Sequence, residues 1–432
     1  MTYSFFEEMK GRKQALLLFL PLTLFYAASY FQRTAIPGTT FNHFQTTFGF
    51  NAAEIAGLAT AFVFIYAFCQ LVVGMLADKF GGIRIVTVAG AIFCAGVMGF
   101  PFCGGNLTLM YICRFLTGLG ASSIYLSQVK EIDRLFGRKN YSIILGIVYF
   151  VGYGGGFFGT LPFQALCGKF YWIDLLIIIG IVSTVLYILF LFARRLVPDA
   201  PIRDVPLSLR PLWKIMKNPL SWMVVFSSTV IFTSNSVIQM VFGKKFLQDV
   251  AGMSEIGASA VISAQILVCM FALLTGGIQT RLTGNRRKPL MIFSSILALL
   301  NTVLMFCAII FHLHAAVYAI SLLLYALAAG LSISYPMACQ EVNSRDCLTL
   351  AAGFNNTCNY LGLAIVSPLA GLLLNQFAEH SSGVGKAVIY PTEAYCWLFA
   401  LMLIPMILGV IVACLIPETK GHFLRLHIEK SS

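Results

Sequence analysis

The sequence predicts an all-α polytopic membrane protein, with twelve transmembrane helices in two six-helix bundles related by pseudo-twofold symmetry. Three observations carry this expectation. Hydrophobic residues make up 59% of the 432-residue chain, against roughly 45–50% in a soluble domain. Apolar runs of about 20 residues, each long enough to cross a hydrocarbon core of about 30 Å, recur from end to end. A pattern of glycine and charge that follows the second run returns after the eighth, which points to a duplicated unit.

The runs cover residues 15–36, 52–77, 83–103, 107–129, 141–165, 172–193, 220–242, 257–280, 289–311, 315–339, 349–376 and 394–416. Glycine and proline inside them are tolerated, because neighbouring helices can satisfy the freed backbone groups. The first run follows Lys10, Arg12 and Lys13. Its apolar core outlasts the roughly 7–15 residues of a signal-peptide core, so it reads as an uncleaved span. Between spans 6 and 7, the stretch 195–219 is rich in proline and basic residues and lacks apolar periodicity. It reads as a cytoplasmic linker that divides the chain into a bundle at 1–194, a bundle at 220–418 and a tail at 419–432.

The net charge of +12 raises nucleic acid as a partner, and its placement removes it. With the N-terminus inside and the spans alternating, Lys and Arg concentrate on inner segments: 10–13, Lys79, Arg84, 130–139, 194–217, 281–288, Arg345 and the tail. The outer loops keep only Lys169, Lys244, Lys245 and Lys386. This is the positive-inside asymmetry, so the charge sets topology in a cell membrane with both termini cytoplasmic. The twelve cysteines lie mostly within spans and form no C-x-x-C pair. They read as small buried hydrophobes rather than metal or redox ligands, and no metal or cofactor is expected. Three N-x-S/T matches, at Asn106, Asn140 and Asn355, carry little, since two fall on the inner side or within a span.

Gly74, Asp78, Gly81 and Arg84 are echoed by Gly277, Arg281, Gly284 and Arg287, at an offset of 203 residues. Arg138, Gly146 and Gly155 are echoed by Arg345, Gly353 and Gly362, at an offset of 207. Parallel repeats of this kind place a solute site at their interface near the midplane. Polar side chains are also unevenly distributed. Spans 3, 6, 9 and 12 read as nearly free of them and hence lipid-facing, while the others carry stripes at helical spacing. Span 1 has Tyr26, Tyr30 and Arg33, span 2 Tyr66 and Gln70, and span 5 Tyr149 and Tyr153. Span 7 has Ser228, Asn235 and Gln239, and span 11 has Asn355 and Asn359. Such a division fits a molecule with a wet central path.

At this point the chain resembles the major facilitator superfamily. That family's G-x-L-A-D-R/K-x-G-x-R/K loop is matched by Gly74, Leu76, Ala77, Asp78, Lys79, Gly81 and Arg84, and its R-x-x-x-G-x-G span by Arg114, Gly118 and Gly120. The resemblance implies two bundles rocking about a central site. Span 5 has glycines without the G-P pair of drug-exporting antiporters. Pro417 to Gly421, "PETKG", resembles the tail signature of sugar porters, although their glutamine pair in span 7 is absent. The "YFQRTAI" stretch around Arg33 resembles the first span of organic-anion and organophosphate transporters.

An arginine in mid-span costs roughly 2.5–3.5 kcal/mol on insertion scales. Arg33 either snorkels to the headgroups or offers paired donors to an anion, and the lining role of the first helix in the resembled fold favours the anion. Arg114 lies deeper and serves either substrate or a structural partner. Asn235, Gln239, Asn355 and Asn359 fit helix packing as well as ligand contact, and Tyr30, Tyr66, Gln70 and Tyr149 complete the candidate site. No Asp, Glu or His lies well inside spans 1, 4, 7 or 10, which favours antiport or uniport over a simple proton carrier. A proton, sodium ion or counter-solute remains open as the coupling partner. Gly74, Asp78, Gly81, Arg84, Glu131 and Arg138 form an expected cytoplasmic gate, with Asp78 as a latch onto Arg84 or a helix N-terminus.

The expectation is a non-enzymatic, monomeric transporter of a small polar solute, an organic anion, working in the lipid bilayer by alternating access. A carrier of sugar or another neutral solute, and a non-transporting sensor or scaffold, are the alternatives. A membrane enzyme is disfavoured by the lack of any nucleophile–base pair, metal cluster or phosphate loop.

Overall fold

The computed structural model describes residues 12–137, 141–202, 210–276, 279, 282–344, 348–378 and 387–423. Twelve helices among them are long and apolar enough to cross a membrane. They are Lys13–Thr39, Ala52–Ala77, Gly82–Cys103, Leu107–Phe136, Ile144–Cys167 and Trp172–Leu196, then Pro219–Asp249, Glu255–Leu274, Lys288–Ile310, Ala315–Glu341, Leu350–Asn375 and Thr392–Leu415. They are referred to below as spans 1 to 12. The face carrying the segment between spans 6 and 7 is called the linker face, and the opposite one the far face.

Each half repeats one packing scheme. Span 1 packs on spans 5 and 6, span 4 on spans 2 and 3, and span 3 on span 6. Span 7 packs on spans 11 and 12, span 10 on spans 8 and 9, and span 9 on span 12. The halves meet through span 2 against span 11 and span 5 against span 8. The sequence explains the close approaches. A Cβ on Gly118 would strike the Phe62 carbonyl of span 2, and one on Gly120 would lie 2.5 Å from the Ala89 carbonyl oxygen of span 3. One echoed pair of glycines does the same work in both halves. Gly155 lets span 5 touch the Ala27 carbonyl of span 1, and Gly362 lets span 11 sit against Thr229 and Thr233 of span 7.

Spans 1 and 7 both loosen into one wide helical turn, at Ala35–Thr39 and Ile238–Phe242, again 203 residues apart. The two turns pack on each other, with Gly38 close against the Met240 carbonyl. Ile36 leaves helical geometry altogether (φ −118°, ψ 117°). Beyond the turn, span 7 continues as helix through Gly243–Asp249. This corrects the expectation that Lys244 and Lys245 lie in an outer loop: both are buried within the end of span 7. Their own helical turn and a carboxylate one turn on, Asp249, make that burial tolerable.

The lipid-facing expectation holds in part. Spans 6 and 12 are the least buried and span 7 the most, but spans 5 and 10 are no more buried than span 3. Span 9 is not free of polar groups: Ser295 shares a hydrogen bond of 2.6 Å with Tyr335, Thr302 bonds Tyr325, and Asn301 donates to the Leu297 carbonyl. Ser294 and Asn301, and Ser295 and Thr302, recur at seven-residue spacing on the buried face, so span 9 carries a polar stripe of its own.

Candidate functional site

Arg33 stands one turn before the break in span 1 and is 2% exposed. Its Nη1 donates to the Tyr360 hydroxyl of span 11 at 2.5 Å. Its guanidinium carbon lies 4.5 Å from the Tyr30 ring centre, 4.6 Å from Tyr66, 5.0 Å from Tyr360 and 5.8 Å from Phe62. Such cation–π contacts compensate part of the desolvation of the charge. Its Nε and Nη2 are buried with no hydrogen-bond acceptor among the described residues. The cage draws on both halves, and the offset of 203 places Ser236 at the position corresponding to Arg33. The two bundles are thus alike in scaffold and unlike in charge at their shared centre.

The other sequence-derived candidates fall into groups. Tyr30 and Tyr66 belong to the cage, and Tyr66 also meets Tyr360 edge to face at 4.8 Å. Gln70, one turn along span 2, accepts from Asn356 at 2.8 Å across the interface, while its own amide nitrogen is unpaired among the described residues. Asn235 accepts from Gln265 of span 8 at 3.0 Å, and Asn359 accepts from Thr229 at 3.1 Å. Gln239 Nε2 and Asn355 Oδ1 are buried without a partner among the described residues. Tyr149 is set apart from the cage: it shares a 2.5 Å hydrogen bond with Tyr125, at the end of a ring series that runs through Tyr26 to Tyr30. Sequence reasoning missed Tyr360, Phe62 and Gln265. Tyr360 follows Asn359 directly in the sequence, and its value appears only once span 11 is packed across span 1.

Arg114 has the structural alternative's geometry. Its Nε donates to the Leu58 carbonyl at 3.1 Å, and Nη1 and Nη2 reach the Gln32 and Ile36 carbonyls at 3.0 Å each. The break at Ile36 frees carbonyls of span 1, and Arg114 satisfies them. Its side chain braces the bend beside Arg33 and is turned onto backbone.

The far face is closed by hydrogen bonds between the halves. Lys244 donates to Gln164 at 2.5 Å and to the Thr39 carbonyl at 2.8 Å, and lies 4.0 Å from Glu255. Glu255 also accepts from Asn42 at 2.9 Å and Gln164 at 2.7 Å. Within the second half Lys245 pairs with Asp249 at 2.7 Å, which accepts from Tyr395, and Gln45 of the first half donates to Tyr390. Asn375 joins Asn51 and the Ala52 amide, and Ser263 joins Thr160 and the Leu161 amide. Beside this network, burial and then the Lys244 ammonium push the His43 imidazole below its ordinary 6.5.

On the linker face, the described part of the expected gate, all in the first half, forms a clasp, and the second half carries a clasp of its own that was not expected. Gly81 turns the chain with φ +86°, and Glu131 of span 4 accepts from the Gly82 amide at 2.8 Å and from Arg134 at 2.5 Å. Arg84 pairs with Asp199, after span 6, at 3.3 Å and donates to the Ala200 carbonyl at 2.9 Å. So the N-terminus of span 3 is capped by Glu131, and Arg84 finds its carboxylate in Asp199. Gly74 has open space where a Cβ would stand. Arg138, the side chain of Asp78 and the echo residues Gly277, Arg281 and Arg345 lie outside the described residues. In the second half, Arg287 pairs with Glu341 of span 10 at 2.8 Å, and Thr419 donates to the same carboxylate. Glu418 accepts from the Arg287 and Lys288 amides at 2.8 and 3.1 Å. Burial works against its charge, but the amides of Lys420, Arg287 and Lys288 hold its carboxyl below the usual range. "VPDA" after span 6 and "IPET" after span 12 therefore occupy matching places.

Residues 22–367 match the Major Facilitator Superfamily. Among curated proteins, the chain is 26% identical over 207 residues to the inner membrane transport protein YdiN of Escherichia coli, covering 46% of this chain and 47% of that protein. It is 29% identical over 164 residues to the methyl viologen resistance protein SmvA of Salmonella typhimurium, covering 38% of this chain and 32% of that one. The chain thus spans half or less of the length of these relatives. Among solved structures, a variant of the nucleoside transporter NupG superposes with a TM-score of 0.73 at 15% identity, over 92% of this chain and 99% of that one. A D-xylose–proton symporter does so with a TM-score of 0.73 at 15% identity, over 95% and 100%. The solved structures share the fold, the family match runs through both halves, and the chain, with twelve described helices long and apolar enough to cross a membrane, belongs to the major facilitator superfamily.

Proposed function

We propose that this transporter moves an organic anion across the cell membrane by alternating access, with Arg33 as the anchor of the anion. The observation that carries the reading is a buried guanidinium at the junction of the halves with two of its three nitrogens lacking an acceptor among the described residues. A buried charge left in that condition is costly unless a counter-charge completes it during the working cycle. Tyr30, Tyr66 and Tyr360 form the wall around it, and Asn235, Gln239, Asn355, Asn359 and Gln70 supply polar contacts. Arg114 acts as a brace.

The moving units in this reading are residues 1–194 and 220–418, joined by 195–219. Both termini are cytoplasmic, as the placement of Lys and Arg favours. The closed far face is then the outer one, and the arrangement faces inward or is occluded. Opening outward requires the Lys244–Gln164–Glu255–Asn42 network to part. The test is counterflow or uptake of labelled anions, sugars and nucleosides into proteoliposomes holding the purified chain. Saturable flux of an anion that is lost in Arg33→Ala is the expected result. Flux of neutral solutes only, untouched by Arg33→Ala, refutes the anion assignment.

A further inference from the structure

The orientation of the Arg33 guanidinium narrows the solute further. Nη1 is already held by the Tyr360 hydroxyl. The two nitrogens without an acceptor among the described residues, Nε and Nη2, lie along one edge of the guanidinium plane. Their N–H bonds run parallel, at the spacing of the two oxygens of a carboxylate, which such an edge takes bidentately.

Charge balance limits the ligand. The other described cations buried near this depth or toward the far face are engaged. Arg114 has donors on three carbonyls, Lys244 is bonded to Gln164 and Thr39 near Glu255, and Lys245 is paired with Asp249. One open edge and one cation suit one negative charge. A second charge on the same ligand would be buried without a matching donor set.

The surroundings then specify the body of the ligand. The guanidinium is covered by the faces of Tyr30, Tyr66 and Tyr360 at 4.5 to 5.0 Å. A further layer stands behind them, with Tyr153 4.9 Å from Tyr30 and Phe232 5.0 Å from Tyr360. These rings are drawn from spans 1, 2, 5, 7 and 11, so the aromatic lining belongs to the junction and not to one helix. An aromatic ring placed among them gains edge-to-face or offset contacts at about 4.5–7 Å that a saturated ring of similar size does not.

We infer that the solute is an aromatic monocarboxylate, whose carboxylate takes the Nε–Nη2 edge of Arg33 while its ring lies among Tyr30, Tyr66, Tyr153 and Tyr360. This rests on the anion reading above and narrows it.

The experiment is thermal unfolding of the purified full chain against graded benzoate, phenylacetate and 3-phenylpropanoate. Cyclohexanecarboxylate, phenyl phosphate, succinate and benzyl alcohol are the comparison probes, since a ligand that binds the folded state raises its Tm. At least one aromatic monocarboxylate should stabilise saturably. Cyclohexanecarboxylate should bind about tenfold more weakly, the loss of roughly one aromatic contact. Arg33→Lys should weaken the aromatic acid by about tenfold or more, having lost the planar edge. If phenyl phosphate or succinate stabilises in an Arg33-dependent way and the aromatic acids do not, this inference falls and the anion reading stands. If benzyl alcohol matches benzoate, or Arg33→Lys binds the acids unchanged, both fall. No shift with any of the three aromatic acids overturns this inference and leaves the anion reading to the uptake assay. Should Arg33→Lys fail to fold, Tyr66→Leu provides the check: the preference for benzoate over cyclohexanecarboxylate must shrink, and an unchanged ratio overturns the ring placement.

Discussion

Arg33 and Arg114 are equally buried, lie in spans 1 and 4, and both stand over the ring of Phe62, at 5.8 and 4.7 Å. Their solutions to the same problem are opposite. Arg114 is answered by three carbonyls, two of them from the bent end of span 1. Arg33 is answered by one tyrosine hydroxyl and by ring faces, with an edge of its guanidinium unused. The difference teaches that the cost of an intramembrane charge does not by itself mark a ligand site. What separates the brace from the proposed anchor is where the donors go.

The contrast can be broken by mutation. The largest effect is expected for Arg114→Ala, which strips the donor from the Gln32 and Ile36 carbonyls at the bent end of span 1. At about 1–3 kcal/mol for each buried group left unsatisfied, the variant should lose most of its folded yield and several degrees of Tm. Normal stability would show that water replaces the brace. Arg33→Ala should behave in the opposite way: anion uptake is lost by about 100-fold or more, the equivalent of a charge-assisted bidentate contact, while Tm holds or rises. A collapse in Tm with residual uptake would reverse the assignment of the two arginines.

Tyr360→Phe sharpens the comparison at one bond. It removes the acceptor of Arg33 Nη1, with an expected loss of about 1.5–3 kcal/mol for a hydrogen bond to a charged group. Urea- or heat-unfolding of the variant beside wild type reads this directly. The smallest effect belongs to Phe62→Leu, which withdraws the one ring both arginines share. Cation–π contacts of about 0.5–1 kcal/mol predict a modest fall in both Tm and anion affinity. A fall in affinity alone would mean that Phe62 serves Arg33 only.

Much of the fold was legible because length and hydropathy are what a bilayer requires. The twelve spans, the duplicated unit and the glycines of span 4 follow from the run lengths and spacings, and Gly118 and Gly120 do sit where helix backbones meet. Arg33, Tyr30 and Tyr66 were also readable, since one helical stripe and one neighbouring span bring them together. Lys244 and Lys245 were misplaced because two consecutive lysines resemble a loop, and only the continuing helix with Asp249 makes them part of span 7. Tyr360 and the Asp199 partner of Arg84 depend on contacts 327 and about 115 positions apart in the chain, for which spacing gives no signal.

The paired clasps on the linker face have a mechanical consequence. Asp199 fastens the end of span 6 to the start of span 3, and Glu418 fastens the end of span 12 to the start of span 9. Asp199, at the start of the linker, ties back to the first half and Glu418 ties back within the second, so neither would have to let go in the proposed tilting of one half against the other. Each bundle is thereby stiffened at its edge like a lever with a bound end. In the proposed cycle, a small displacement at Arg33 would then be carried outward to the membrane surface instead of being absorbed by sliding helices.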